Sequence, residues 1–287
     1  MPALSNMRNY IYIIVSFLLI FGGIELPFGI GSDIIKADEA IRIMSFNIRC
    51  TEFTSRSNIV PQVISDYKAD SVGLQECTYD WVRTLKNRLD EYTLIGVGRD
   101  TGDLSLFSGE SSAILYRTEK YDLIDSGTFW LSETPDKVSF GWDAAYRRIC
   151  TWVILKDKAT GQKYAHINTH LDNKGLQASK NGTQMVADFA KNFDMPVVVT
   201  GDFNYTRENS NYNIMINSGL SDTQDLAEIT MKGKTYHGYE GGTEGLPIDF
   251  IFVNDKITDV SKYRIITRKY NNKYTSDHYP IYADIKF

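Results

Sequence analysis

A chain of 287 residues with 43% hydrophobic and 13% aromatic residues can bury one sizeable core without disulfides or a structural metal. Its formal charge of −5 and the lack of any long run of lysine and arginine argue against a non-specific nucleic-acid coat protein, but do not exclude an enzyme that grips a few phosphates. Cys50, Cys77 and Cys150 are odd in number, lack CxxC spacing and adjoin apolar or strand-like segments, so free, buried thiols are expected.

The N-terminus differs in composition from the rest. Tyr10 to Ile24 is nearly all apolar and follows Arg8. About fifteen apolar residues fall short of the roughly 20 that span a bilayer, but suit the apolar region of a secretory signal. Ala37 before Asp38 supplies the small residue of a cleavage site. A signal peptide over residues 1–37 and one domain over residues 38–287, secreted or at the cell surface, are expected. The alternative is a retained membrane anchor with the domain outside, because apolar character resumes weakly at Ile30 and Ile34.

Beyond the leader, Ala40 to Ile48 alternates apolar and polar residues, which predicts a strand ending near Asn47 and Arg49. Ser57 or Asn58 can cap a helix that runs to Tyr67 with Ile59, Val63 and Ile64 on one face. Ser71 to Glu76 is a buried strand whose last carboxylate needs a cation, a donor or water. A helix over Tyr79 to Leu89 and strands over Tyr92 to Val97, Ser112 to Arg117 and Tyr121 to Leu131 follow. Arg99 to Ser111 and Ser132 to Arg147 are irregular. Cys150 to Leu155 and Lys163 to Thr169 form a hairpin through Thr160 and Gly161. An amphipathic helix over Gln177 to Phe193 leads into the strand Val197 to Val199, where Gly201 is expected to turn the chain sharply. Asn211 to Ser218 is helical, Thr235 to Gly242 (TYHGYEGG) is a loop or short strand, and Ile248 to Val253 is an apolar strand carrying Asp249. Tyr263 to Arg268 and a strand over Ile281 to Ile285 close the chain. Many strands with few helices between them predict an α+β fold of two packed sheets covered by helices.

Asn47, Glu76, His170, Asp202, Asn204, Asp249, Asp277 and His278 are residues of the metal-binding and acid/base types, and most sit where an apolar strand ends. A sheet scaffold builds one site from distant segments in this way. Polar residues at strand ends also form ordinary turns, and TGDFN alone does not separate the two readings.

Six motifs in order, SFNIR, LQE, NTHLDN, TGDFN, IDFIFV and SDHYP, span most of the chain and resemble the endonuclease/exonuclease/phosphatase superfamily. FWLSETPD and RRICTW further resemble a bacterial branch of unassigned substrate. The resemblance implies a four-layer α/β sandwich of two mixed sheets flanked by helices, and Mg²⁺-dependent cleavage of phosphate esters with Mn²⁺ as a substitute. By that match Asn47, Glu76 and Asp277 hold the metal and Asp202 activates the attacking water. Asn204 holds water or phosphate in line, and His278, ordered by Asp249, faces the phosphoryl oxygens with His170. An Asp–His pair favours the imidazolium, the better donor to an anion.

Other residues keep plainer readings. His166 is expected in the core, and His237 is as open to substrate contact as to packing. Arg117 and Arg148 are of the type that clamps phosphate and of the type that forms structural ion pairs, so Arg148 is a substrate-binding candidate only. Phe129, Trp130, Trp142, Tyr146 and Trp152 read as core before they read as a stacking platform, with Trp142 the exception to watch.

The expected function is that of an exported Mg²⁺-dependent phosphoesterase, with nuclease action first among the activities. A sphingomyelinase-type phospholipase C, a sugar or inositol phosphatase and a catalytically dead binding protein are the alternatives. The partner is a phosphate-ester substrate: nucleic acid, phospholipid headgroup or small phosphoester. No stable protein partner is implied, and a monomer is expected.

Overall fold

Strand alternation sorts the side chains of this chain into three separate cores. In a computed structural model that describes residues 34–36, 39–103 and 108–287, the chain begins with β1 (Ile41–Asn47), a 3-10 turn (Cys50–Glu52), α1 (Phe53–Arg56) and α2 (Ile59–Tyr67). It continues through β2 (Ser71–Gln75), α3 (Tyr79–Arg88), β3 (Tyr92–Ile95), β4 (Ile114–Arg117) and β5 (Tyr121–Trp130). Next come β6 (Ile149–Asp157), β7 (Lys163–His170), α4 (Leu176–Ala190), β8 (Val197–Asp202), α5 (Ser210–Asn217) and β9 (Leu220–Asp222). Last are α6 (Thr223–Leu226), β10 (Asp249–Asn254), β11 (Asp259–Ile265) and β12 (Ile281–Lys286). The leader expected over residues 1–37 lies outside the described residues except for Ile34, Ile35 and Lys36. Residues 104–107 of the Arg99 to Ser111 loop also lie outside them.

Two six-stranded sheets form, in the orders β11-β12-β1-β2-β4-β3 and β5-β6-β7-β8-β10-β9. Each is mixed: β1 pairs β2 in parallel and β7 pairs β8 in parallel, while the other pairs are antiparallel. On the outer face of the first sheet, Met44, Phe46, Val72 and Leu74 pack against Ile59, Val63 and Ile64 of α2 and Trp81 and Leu85 of α3. On the outer face of the second, Ile167, Val197, Val199 and Phe252 pack against Val186 and Ala187 of α4 and Met215 of α5. Between the sheets lie Ile43, Ile114, Val153, Leu155, Val198, Ile251 and Ile281. Three apolar layers separated by two sheets make the four-layer α/β sandwich. Each fully buried Ile, Val or Leu contributes about 1.5–3 kcal/mol.

The inner faces grade from apolar to polar along the strands. At period two, β1 presents Ile43, Ser45 and Asn47; β7 presents Tyr164, His166, Asn168 and His170; β8 presents Val198, Thr200 and Asp202; β10, running the other way, ends its inner row at Asp249. One end of the inter-sheet layer is therefore greasy and the other titratable.

The middle of that layer is a hydrogen-bonded column. Asn168 donates through Nδ2 to the carbonyls of Leu74 and Ala113, each at 2.9 Å. Its Oδ1 accepts from Gln75 Nε2 at 2.7 Å and Thr200 Oγ1 at 3.0 Å. All four of its valences are thus used. His166 is the core residue expected: its ring nitrogens meet Ser71 Oγ and Thr200 Oγ1, each at 2.8 Å, and burial lowers its pKa to about 3. A Cβ at Gly73 would collide with the side chains of Thr200 and Asn168, so only glycine lets the sheets meet here.

Asn168→Leu should cost roughly 2–5 kcal/mol, because it removes three buried hydrogen bonds between the sheets and a fourth to Thr200. Urea unfolding of the two proteins measures the difference, and a loss under about 0.5 kcal/mol would contradict the role given to this column.

Candidate active site

Three strands carry three functional side chains to one row. Asp202 pairs in register with His170 on one side and with Asp249 on the other, so β7, β8 and β10 hold these residues abreast at their ends. Asp202 is the last residue of β8 itself, not part of a turn beyond it. Gly201 also lies within the strand: an added Cβ there would sit 2.6 Å from the Thr169 carbonyl, so the glycine serves close strand packing rather than the sharp turn expected of it. The turn falls at Asn204, whose φ is 55° and whose Nδ2 donates to the Leu171 carbonyl at 3.0 Å.

Two further segments complete the ring of polar groups. Asn47 ends β1, and Glu76 follows β2 with φ 59°. Arg49 also sits at positive φ, 61°, with its carbonyl accepting from Trp81 Nε1 at 3.0 Å. Left-handed backbone at non-glycine residues costs about 1–3 kcal/mol each and persists only where neighbours enforce it. Asp277 and His278 are held by TYHGYEGG: the amides of His237 and Gly238 donate to the Asp277 carbonyl at 2.9 and 3.1 Å, and Tyr236 bridges His278.

Asp202, only 1% exposed, is the centre of the arrangement. Its Oδ2 accepts from Asn47 Nδ2 at 2.9 Å and lies 3.4 Å from His170 Nε2 and 3.6 Å from His278 Nε2. Its Oδ1 accepts from the Asn204 amide at 2.9 Å. Asp249 Oδ2 lies 2.8 Å from His278 Nδ1. Burial, with Asp249 adding to it, pushes the Asp202 pKa up to about 7. Burial works against charge on His278, but Asp249 and Asp202 outweigh it and raise its pKa to about 10. His170 goes the other way: burial and then the charge of Arg148 hold it well below the ordinary imidazole value. One imidazolium and one neutral imidazole therefore face the same carboxylate.

Glu76 accepts from the Cys50 amide at 3.0 Å and from Asn47 Nδ2 at 3.1 Å. Burial alone would raise its pKa, yet these donors and Arg49 hold it below the usual range, so it is ionised. Asp277 and Glu76 converge on one positive charge, with Arg49 Nη1 3.4 Å from Asp277 Oδ2 and 3.9 Å from Glu76 Oε1. The two carboxylates around a cationic position fit a hard divalent ion that prefers oxygen. Asn47 turns its Nδ2 toward Glu76 and Asp202 and its Oδ1 to the Arg49 amide at 3.1 Å, so its oxygen reaches a metal only with the amide turned over. Glu76 also lies with Cys50 and Glu110, their ligand atoms within 4.8 Å of one another.

Of these residues Arg49, Glu76, His170, Asp202, Asn204 and His278 line a cleft of about 410 Å³, while Asn47, Asp249 and Asp277 stand behind its surface. Arg99, Glu110 and Tyr236, which the sequence did not single out, line it too, as do Cys50 and Tyr146, which were expected in the core. Arg148 is buried in its wall. Arg117 ends β4 in the first sheet and is not among the cleft residues. His237 is buried, stacked on Tyr279 at 3.9 Å, so packing is its role. Phe129 and Trp152 pack on Phe189 of α4 as core, while Tyr146 instead faces the cleft. Cys77 and Cys150 are buried free thiols, and Cys50 is free but half-buried at the cleft.

The pH profile tests the His278 pair. If protonated His278 is required, kcat/KM holds below its pKa and falls as pH rises through about 10. Asp249→Asn removes the largest contribution raising that pKa, so the alkaline limb should move down toward the ordinary imidazole value of about 6.5. An alkaline limb at the same pH in both proteins would exclude the pair.

A family model described as the Endonuclease/Exonuclease/phosphatase family matches residues 44–278. No protein of curated function matches. Among solved structures, a mannosyl-6-phosphatase of Bacteroides thetaiotaomicron VPI-5482 is 31% identical with a TM-score of 0.80, covering 86% of this chain and 100% of that one. An endonuclease/exonuclease/phosphatase from Bacteroides vulgatus is 35% identical with a TM-score of 0.80, covering 86% and 99%. D. rerio TDP2 complexed with single strand DNA product shares the fold at 19% identity and a TM-score of 0.67, covering 87% and 100%. Matched over most of its length by the family model and by bacterial structures more than 30% identical, the chain belongs to the endonuclease/exonuclease/phosphatase family of phosphoester hydrolases.

Proposed function

We propose that the protein is an exported, Mg²⁺-dependent hydrolase of small phosphorylated molecules, with phosphorylated sugars the first substrates to test. The observation that carries the hydrolytic reading is Asp202: one buried carboxylate in contact with an amide and two imidazoles of opposite charge state, beside an ionised Glu76. With a pKa raised to about 7, Asp202 is basic enough to take a proton from water at neutral pH. The water oxygen attacks phosphorus, the ester P–O bond opposite it breaks, and the leaving oxygen takes a proton from solvent as Asp202 releases its own. Asn204 orients the water or the phosphate. His278, as imidazolium, and His170, through Nε2–H, donate to phosphoryl oxygens. Mg²⁺, or Mn²⁺ in its place, bound by Asn47, Glu76 and Asp277, would neutralise charge on those oxygens.

Two observations support a small substrate. The cleft volume suits a small molecule, and Arg49, Arg99 and Arg148 gather at that one cleft. The relative that is 31% identical over 86% of the chain is a mannosyl-6-phosphatase, which puts sugar phosphates first. Nuclease action is the second reading, favoured by Tyr146 and Tyr236, which are 47% and 50% exposed at the cleft and available to stack on a base. Export rests on the apolar leader, with a membrane-anchored form the alternative.

The mature chain should hydrolyse a phosphate ester with Mg²⁺ and stop with EDTA, and Asp202→Ala should lower kcat by about 10²–10⁴. A panel of sugar phosphates, nucleic acids and sphingomyelin ranks the substrates. Turnover that persists in EDTA would overturn the metal-assisted mechanism, and no turnover of any ester would leave a binding protein. Mass spectrometry of the culture supernatant should find a shortened N-terminus; a chain with Met1 intact would exclude cleavage.

A further inference from the structure

Arg148 is a charge without adequate compensation. Its side chain is 5% exposed, and among the described residues its ion pair is Nε to Asp172 Oδ2 at 3.5 Å. Asp172 already accepts four backbone N–H groups, from Gly175 at 2.7 Å, Lys174 at 3.0 Å, Ala145 at 3.1 Å and Tyr146 at 3.2 Å. Arg148 Nη1 is buried with no hydrogen-bond partner among the described residues. A second guanidinium stands beside it: Arg99 and Arg148 lie 5.1 and 5.4 Å from the centroid of the Tyr146 ring. Arg99 is locked by a two-point contact with Glu110, Nη1 to Oε2 at 2.8 Å and Nη2 to Oε1 at 3.2 Å. Both arginines line the cleft with His170, and both continue into a side pocket with Ser111 and Ser112.

A buried arginine with an empty donor, sharing a cleft wall with a second arginine, is stabilised by an anion that brings more charge than its protein partners supply. The chemistry of the scissile group supplies one. A phosphomonoester above pH ~6 is a dianion with three non-bridging oxygens, whereas a diester is a monoanion with two. In the hydrolytic site proposed above, the metal position and the two histidines account for two oxygens.

We propose that Arg148, backed by Arg99, takes the third non-bridging oxygen of a phosphomonoester, and that this pair is what selects monoesters over diesters. The proposal rests on the phosphoester-hydrolase reading and names the substrate class within it. It assigns Arg148 a contact with substrate; Arg99, braced by Glu110, supplies the second charge.

The test uses the intact enzyme with Mg²⁺ and two chemically matched probes, p-nitrophenyl phosphate and bis(p-nitrophenyl) phosphate. The wild type should favour the monoester in kcat/KM. In Arg148→Gln the ratio of monoester to diester kcat/KM should fall about tenfold or more, the scale of one lost charge-assisted hydrogen bond. Arg148→Lys, which keeps charge without the planar fork, should fall between. Because Arg148→Gln removes a buried group, protection by inorganic phosphate provides a second measurement: the rise in Tm that phosphate gives the wild type should be largely lost in Arg99→Gln. A wild type that prefers the diester, or both substrates losing rate by the same factor, would overturn the proposal and leave phosphoester hydrolysis standing. Absence of turnover of either probe and of every ester in the wider panel would instead remove the reading beneath it.

Discussion

The site depends on how two sheets are fastened together between their faces. Apolar contact alone would let the sheets slide, because dispersion is non-directional and a β-sheet face is corrugated only weakly. Asn168 prevents this by spending both donors on carbonyls of the first sheet and both acceptor positions on Gln75 and Thr200. Since Asn168 lies two residues before His170, Thr200 two before Asp202, and Gln75 one before Glu76, fixing the column fixes the row of functional groups. A displacement of one pleat would separate Asn47 on the first sheet from Asp202 on the second.

Rigidity of that kind is what makes the electrostatics tenable. Asp202, Asp249, Glu76 and Asp277 are buried carboxylates in one region, and each would be costly alone. Their charges are distributed among specific partners: Asp249 on His278, Glu76 on backbone and amide donors, Asp277 on Arg49. At Asp202 the burial that raises its pKa is only partly answered by His278 and Asn47. The same environment that would destabilise a structural aspartate produces a base near neutrality.

Much of this was legible in the sequence, for a definite reason. Period-two alternation exposed both central strand pairs, and the strand ends carried the polar residues, so Asn47, His170, Asp202, Asp249 and His278 converge as expected. The fold followed from many strands with few helices, and the motif order specified the four layers. What stayed hidden depends on distance rather than pattern. Gly201 carries the appearance of a turn residue, but its need comes from the Thr169 carbonyl on a neighbouring strand. Arg99 and Glu110 are eleven residues apart in a loop without periodicity, and only folding closes them into a two-point ion pair. Tyr146 resembled the core aromatics around it because burial is not encoded by residue type alone.

The loop that carries Tyr146 shows why specificity is less readable than chemistry. Asp143 accepts from the Ala178 amide at 2.7 Å and the Gln177 amide at 3.2 Å, tying the loop to the first turn of α4. Asp172 accepts from Ala145 and Tyr146 and also from Lys174 and Gly175, tying the same loop to the end of β7 just beyond His170. Two aspartates thus set where the cleft wall stands relative to that row of side chains. Asn47, His170, Asp202 and Asp249 are fixed by strands, whose register a sequence pattern reveals. The wall is fixed by side-chain-to-backbone bonds across unrelated segments, where a change of one loop residue moves an aromatic face without disturbing the row. One scaffold can therefore keep its reaction while its substrate changes, and the resemblance that identifies the first carries much less weight for the second.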